Sequence, residues 1–415
     1  MRMISNTLTA LALSAVFACA GGLLPAARTH AAEGKQTVSK VAAKPLKAAQ
    51  DAMNARKYAD ALAKLKDVQA LPGKSPYDEH LMNEMLAYVY VKLNQLPDAA
   101  KVMEADLDSG SVTGADVPKR VRQLLQINYQ LKNFEKVIDF GNRAIKGGYA
   151  DDQIYTLVGQ AYYLRGDFKG AAKFIDSYVS AQIKDGKKPK EQLLIIIQNS
   201  CTRTNDSECL QRVLERLVSY YPKAQYWQNL VDAMYHQQSG ANDTVLLQVY
   251  RLAVAVDVLN RPSDYTEYAQ LALEAGSPGE AESALEKGFQ KKVFTEVRDI
   301  DKNKRLLESA KKQVAANKAA LPKVEAAAAS ATTGDKDVNV GVTYLGYQQY
   351  DKAAEAITRG LSKPGVQNPA EARLLLGIAE LGAGRKDDAR KTFRTVKGDP
   401  RLERLANLWS LHTQA

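Results

Sequence analysis

The feature that most constrains this chain is a segment that keeps returning. Its clearest copy reads Leu157-Val158-Gly159-Gln160-Ala161-Tyr162-Tyr163, then Gly166-Asp167-Phe168, then Ala171-Ala172. A small residue and a tyrosine one helical turn apart precede a Gly-Asp turn, an aromatic residue and two alanines. Weaker copies follow at intervals of ~33–39 residues over most of the chain. A period of that length specifies a stack of helical hairpins, because one hairpin is too small to bury its own apolar face and must lean on the next. It also removes the usual argument from length. At 415 residues the chain exceeds one ordinary domain, but an array grows by adding units rather than by enlarging one core.

The second helix of each unit is the easier one to place. Tyr58-x-x-Ala61, Pro97-Asp98-Ala99, Phe134-x-x-Val137, Phe168-x-x-Ala171, Ser207-x-x-Leu210, Pro278-x-x-Ala281, Tyr350-x-x-Ala353 and Lys386-x-x-Ala389 share one register. A turn of Gly, Asn, Asp or Lys precedes most of them, as at Gly166-Asp167 and Gly384-Arg385. The spacing has a packing reason. A small residue in the first helix (Ala87, Gly159, Ala269, Gly341, Gly377) lets the partner helix come close. An alanine early in the second (Ala61, Ala99, Ala171, Ala281, Ala353, Ala389) fills the contact without forcing the pair apart. A larger apolar residue four positions on (Leu65, Met103, Ile175, Leu285, Ile357, Phe393) lies one turn further on the same face. Pro222 and Pro400 stop second helices.

On these positions the chain resembles the tetratricopeptide repeat family over residues 42–292 and 333–399, most strongly at 155–178 and more weakly at 195–222 and 226–259. Eight or nine units are counted. The resemblance implies an all-α, right-handed superhelical solenoid of antiparallel helix hairpins, with the first helices lining a concave groove. Residues 42–292 then form an N-terminal array and residues 334–415 form C-terminal units. The array ends in a capping helix over 401–412, with Leu402, Leu405, Leu408 and Trp409 on one side. Residues 293–333 depart from the pattern. Leu307, Val314 and Leu321, with Ala310 between the first two, give a narrow apolar seam. Residues 291–323 hold ten Lys or Arg against four Asp or Glu. This segment is either a degenerate repeat with an overlong helix or a hinge between sub-arrays.

The N-terminal residues 1–32 read as a cleaved secretory signal. Arg2 is positive, residues 8–20 are apolar apart from Thr9 and Ser14, and Gly21, Gly22 and Pro25 break the helix before Thr29-His30-Ala31. A lipoprotein signal at Cys19 fits less well, because Phe17 is bulky where a small residue is usual. Residues 33–41 follow as a flexible spacer. The expected location is the periplasm. Beyond the signal only Cys201 and Cys209 remain, spaced to flank one hairpin turn, and a disulfide is expected in an oxidising compartment.

No catalytic or metal motif is present: no HExxH, no CxxC pair, no phosphate loop and no Gly-x-Ser-x-Gly elbow. The histidines, His30, His80, His236 and His412, have no metal-ligand spacing. We therefore expect a non-enzyme without cofactor or metal. In the first helices, the residue after the small packing position and the one three later predict a groove wall. The candidates are Tyr88, Gln126, Tyr129, Gln160, Tyr163, Asn199, Tyr235 and Gln270, with Arg122 and Arg203 adding positive charge on the same wall. Carboxamides pair with peptide backbone and aromatic rings cover side chains, so this wall suits an extended peptide. The net charge of +10 favours acidic partners. Lys302, Lys304, Arg305, Lys311, Lys312 and Lys318 form a basic patch suited to anionic lipid or envelope polymer. Nucleic acid is not expected, since secretion removes the chain from it and no base-reading module appears. The leading expectation is a periplasmic scaffold holding a peptide segment of an envelope protein. In this it looks like the repeat proteins that accompany TonB-type or Tol-type systems. The alternatives are a structural protein binding an anionic surface, and a regulatory subunit of a cell-wall or polysaccharide synthase.

Overall fold

The computed structural model describes residues 37–238 and 243–413, and every regular element among them is an α-helix. Residues 1–36, with the signal segment, Cys19 and His30, lie outside the described residues. The chain divides into two compact units, residues 1–200 and 201–415. The first contains α1 (Lys40–Asn54), α2 (Tyr58–Ala70), α3 (Pro76–Lys92), α4 (Leu96–Asp108), α5 (Asp116–Gln130), α6 (Phe134–Lys146), α7 (Asp152–Leu164) and α8 (Phe168–Lys184). The boundary falls within α9 (Glu191–Arg203). The second contains α10 (Ser207–Tyr220), α11 (Ala224–Gln238), α12 (Asp243–Ala255), α13 (Pro262–Glu274), α14 (Pro278–Gln290), α15 (Val297–Ala329), α16 (Asp335–Gly346), α17 (Tyr350–Leu361), α18 (Pro369–Gly382), α19 (Lys386–Arg394) and α20 (Pro400–His412).

Among the described residues, eight hairpins are closed in one way. Three residues separate the paired helices, and the middle one is left-handed: Arg56, Asn94, Lys132, Gly166, Asn205, Gly276, Gln348 or Gly384. So short a turn leaves the second helix no course but back along the first. The packing register follows the sequence. Ala61, Ala99, Ala171, Ala281, Ala353 and Ala389 are fully buried. A methyl group on Gly159 would lie 2.1 Å from Ile175 Cδ1, and one on Gly377 would lie 2.4 Å from Phe393 Cε1. The glycine is thus the socket for the large residue four positions past the alanine. Burying such a side chain contributes about 1.5–3 kcal/mol, and a Cβ at the socket would forfeit much of it.

Within the first unit, packed helices are one or two places apart in chain order, as in α1 with α2 and α3, or α5 with α6 and α7. Asp78 ties the start of this unit together. Its carboxylate accepts from the backbone N–H of Ser39 at 3.0 Å and of Ser75 at 2.8 Å. Burial raises this carboxyl, but those hydrogen bonds outweigh burial and hold it at about 2.

The second unit adds long-range contacts. The expected capping helix α20 covers α18 and α19 with Leu402, Leu405, Leu408 and Trp409, all buried. It also packs on α10 and α12, so it joins the two ends of the unit rather than facing solvent beyond the last hairpin. Arg404 Nη1 donates to Gln211 Oε1 at 3.0 Å, and its Nε pairs with Glu215 at 3.1 Å. The closure explains why residues 226–259 lack the alanine register. Residues 245–253 of α12 are all buried, because α11, α13 and α20 cover the helix on several sides. A helix enclosed in this way is buried around its circumference instead of along one stripe, and its buried polar residues, Gln248 and Arg251, are paired with Glu371 and Glu280.

The irregular segment is a single 33-residue helix, α15, which runs through Pro322 and packs against α13, α14 and α16. Its buried seam is Asn303, Ala310, Val314, Leu321 and Ala328. Leu307, expected in the seam, is only half-buried, and Asn303 takes its place by accepting a hydrogen bond from the Thr266 hydroxyl at 2.9 Å. Cys201, near the end of α9, and Cys209, early in α10, form a disulfide across the hairpin turn.

Candidate functional site

The second unit has a cavity of about 760 Å³, open to solvent, between α12, α13, α16 and α18. Leu247, Leu271, Val338, Val342 and Leu375 supply apolar wall, and Asn339, Thr343, Gln367 and Asn368 supply polar groups. The charged lining groups are Glu274, Asp335, Glu371 and Arg251. Arg251 is committed elsewhere: it is buried and makes a bidentate pair with buried Glu280, with Nε and Nη2 each 2.9 Å from a carboxylate oxygen. Glu371 accepts from Gln248 Nε2 at 2.9 Å and from Asn368 Nδ2 at 3.1 Å. Burial raises the Glu371 carboxyl above the ordinary glutamate range, against the opposing pull of Arg251 and those two donors. Asp335 Oδ1 accepts from the Gln367 N–H at 2.9 Å. The site is therefore a mixed apolar and carboxylate pocket of small-ligand or short-peptide size.

None of the ten residues read as a groove wall lines this cavity. They also fall in both compact units, with Tyr88 to Asn199 in the first and Arg203, Tyr235 and Gln270 in the second. Gln160 is buried and does not present its amide to a groove. Tyr129 and Tyr163 stand edge-on to Phe134 and Phe168, the first residues of the following helices, at 6.2 and 4.9 Å between ring centroids. Those rings therefore close the hairpin turn. Tyr88 meets the edge of Tyr58 and lies under Lys92. Tyr235 packs on the buried ring of Tyr250 at 4.8 Å, and its own hydroxyl is buried. Arg122 pairs with Asp151 at 2.9 Å. Gln126 and Asn199 are half-buried, and Arg203 and Gln270 are exposed. Helical phase alone located these positions, and phase cannot tell a groove-facing ring from one that folds back over its own turn.

The basic patch lies on α15. Lys302, Lys304, Arg305 and Lys312 are exposed with no acidic partner among the described residues. Lys311 pairs with Glu286 at 2.8 Å, and Lys318 lies 5.0 Å from the Tyr347 ring centroid. In the first unit, His80, Glu84 and Asp106 come within 4.8 Å of one another, which their sequence positions did not suggest. His80 Nδ1 is 3.0 Å from buried Asp106, and Arg120 pairs with both Asp106 and Glu84. The guanidinium already occupies the position of the counter-charge, so the cluster is an ion-pair network between α3, α4 and α5. The His236 side chain lies outside the described residues. No helix among the described residues is long and apolar enough to cross a membrane.

The family model for the tetratricopeptide repeat matches residues 46–112 and 341–401. No curated protein matches the chain in sequence. Among solved structures, it is similar to a tetratricopeptide repeat protein from Parabacteroides merdae, at 12% identity and a TM-score of 0.32, over 82% of this chain and 99% of that one. It is also similar to the TPR2AB-domain:pHSP90 complex of yeast Sti1, at 11% identity and a TM-score of 0.26, over 73% of this chain and 100% of that one.

Proposed function

We propose, from the premise that this chain belongs to the tetratricopeptide repeat family, that it is a non-catalytic protein-interaction scaffold holding a peptide segment of a partner in the second unit. The observation that carries this reading is the cavity of about 760 Å³ walled by α13, α16 and α18, the first helices of three hairpins, together with α12. Four helices supply most of its wall, so the surface is formed before a ligand enters and little ordering cost falls on the protein. The partner in this reading is an envelope protein, and the setting is the periplasm, in support of a TonB-type or Tol-type system. The signal-like residues 1–32 and the Cys201–Cys209 disulfide favour that oxidising compartment.

The test is photo-crosslinking in cells, with a benzophenone amino acid in place of Asn339 in the cavity or of Lys386 on the exposed side of α19. One envelope protein enriched only from the Asn339 position supports the reading. Equal yields from both positions, or none, would overturn it. A second reading draws on the unpaired bases of α15: binding of an anionic lipid or envelope polymer through Lys302, Lys304, Arg305 and Lys312. Retention on anionic vesicles that collapses with added salt, and that charge reversal of Arg305 and Lys312 removes, would favour it. Co-purification with a cell-wall or polysaccharide synthase would point to the regulatory-subunit alternative.

A further inference from the structure

We infer that the cavity of the second unit takes a cationic side chain, lysine or arginine, carried by an extended peptide segment; this deepens the peptide-holding role and rests on it. The chain as a whole is basic, with a net charge of +10, yet the charge lining this cavity has the opposite sign. Glu274, Asp335 and Glu371 face the cavity, and its one lining cation, Arg251, is neutralised by the bidentate pair with Glu280. Arg251 still pulls on Glu371, but no lining cation is left to pair with Glu274 or Asp335. An anionic ligand would meet three like charges along the cavity wall, whereas a cation would relieve them.

A second observation points the same way. Gln248 is fully buried on α12, its Nε2 is held by Glu371 on the cavity wall, and its Oε1 has no hydrogen-bond partner. Gln248 is not among the lining residues; it holds Glu371 in place from behind the wall, and the carboxylate it positions matches a ligand group that only donates, which is the chemistry of an ammonium or a guanidinium. The remaining lining suits the rest of such a residue. Leu247, Leu271, Val338 and Leu375 offer an apolar surface for an aliphatic stem. Asn339, exposed on α16, offers a carboxamide for the peptide backbone beside it. The volume of about 760 Å³ admits a few residues rather than a folded domain.

The experiment uses the purified chain and three fluorescent heptapeptides that differ only at the centre: lysine, acetyl-lysine or glutamate. Fluorescence polarisation is expected to show the lysine peptide binding about tenfold tighter than either twin, with the advantage shrinking as salt is added. Glu371→Gln and Asp335→Asn should each erase most of that preference. Because Glu371 also bonds to Gln248, Glu274→Gln serves as an independent variant at an exposed position, with a melting curve to confirm folding. Charge reversal at Lys302 and Lys312 on α15 should leave the preference intact. Equal affinity for all three peptides, abolished by Asn339→Trp, would overturn the cation inference while leaving the peptide-holding role standing. No measurable binding of any peptide would also overturn the inference, and crosslinking at Asn339 would then decide the broader role alone.

Discussion

The two units are built from the same hairpin, closed by the same three-residue turn, and yet they hold together in different ways. In the first, each helix packs on helices one or two places away. In the second, α20 returns to α10 and α12, the Gln248–Glu371 hydrogen bond spans 123 residues, and the Arg404–Gln211 bond spans 193. A local stack stores its stability in neighbouring interfaces and loses it one interface at a time. A closed circuit shares each loss with both of its ends. The cavity is a product of closure: α12 and α18 line the same space because the circuit brings them together.

The contrast can be broken most directly at α20. Trp409→Ala removes a buried ring stacked on Phe393 and should cost about 3–5 kcal/mol. Hydrogen exchange should then rise in α10 and α12 as well as in α19, with the first unit unchanged. Faster exchange confined to α19 would mean that the second unit is an ordinary stack. Reducing the Cys201–Cys209 bond, or replacing both cysteines by serine, should lower stability by roughly 2–3 kcal/mol on the loop-entropy model. The loss should appear as an earlier denaturant midpoint for α10 and for the contacts α20 makes with it.

Acid titration sharpens the comparison. Asp78 is held at about 2, below its ordinary 3.8. The stability it lends the first unit is therefore complete above pH 4 and is lost as pH falls toward 2, by about 1–2 kcal/mol. Asp78→Asn should flatten that part of the pH–stability curve. At the closing contacts of the second unit the sign reverses. Burial raises both Glu371 and Glu215, so each of them favours the folded state more as it is protonated and less as pH rises through its folded-state value. Glu371→Gln should remove the Glu371 share of that dependence and leave the Glu215 share. The smallest effect is expected at Lys132, which turns the α5–α6 hairpin with a left-handed φ of 58°. Lys132→Gly should stabilise the first unit by about 0.5–1 kcal/mol, read from its thermal midpoint.

What the sequence disclosed is what repeats. Gly159 against Ile175 and Gly377 against Phe393 were legible because each pairing recurs at a fixed offset, and so was the position of Cys201 and Cys209 on either side of one turn. Closure was not legible. Arg404 and Gln211 lie in different helices with no shared period, and nothing in a hairpin motif states the curvature that brings them within 3.0 Å. The cavity inherited that obscurity, since its walls come from helices that only closure gathers. The surroundings of Gln160 and Tyr235 were hidden for a more local reason: both sit in the helical phase of a groove, but Gln160 is buried and Tyr235 is half-buried against the Tyr250 ring.

Closure also bears on how such a protein can change in length over generations. A duplicated hairpin inserted into the first unit separates two interfaces and recreates both. The same insertion in the second unit would push α20 away from α10 by at least one helix spacing, about 8–10 Å, against a bond of 3.0 Å between Arg404 and Gln211. The first unit is free to lengthen by gene duplication, whereas the second must keep its number of hairpins or give up its cavity.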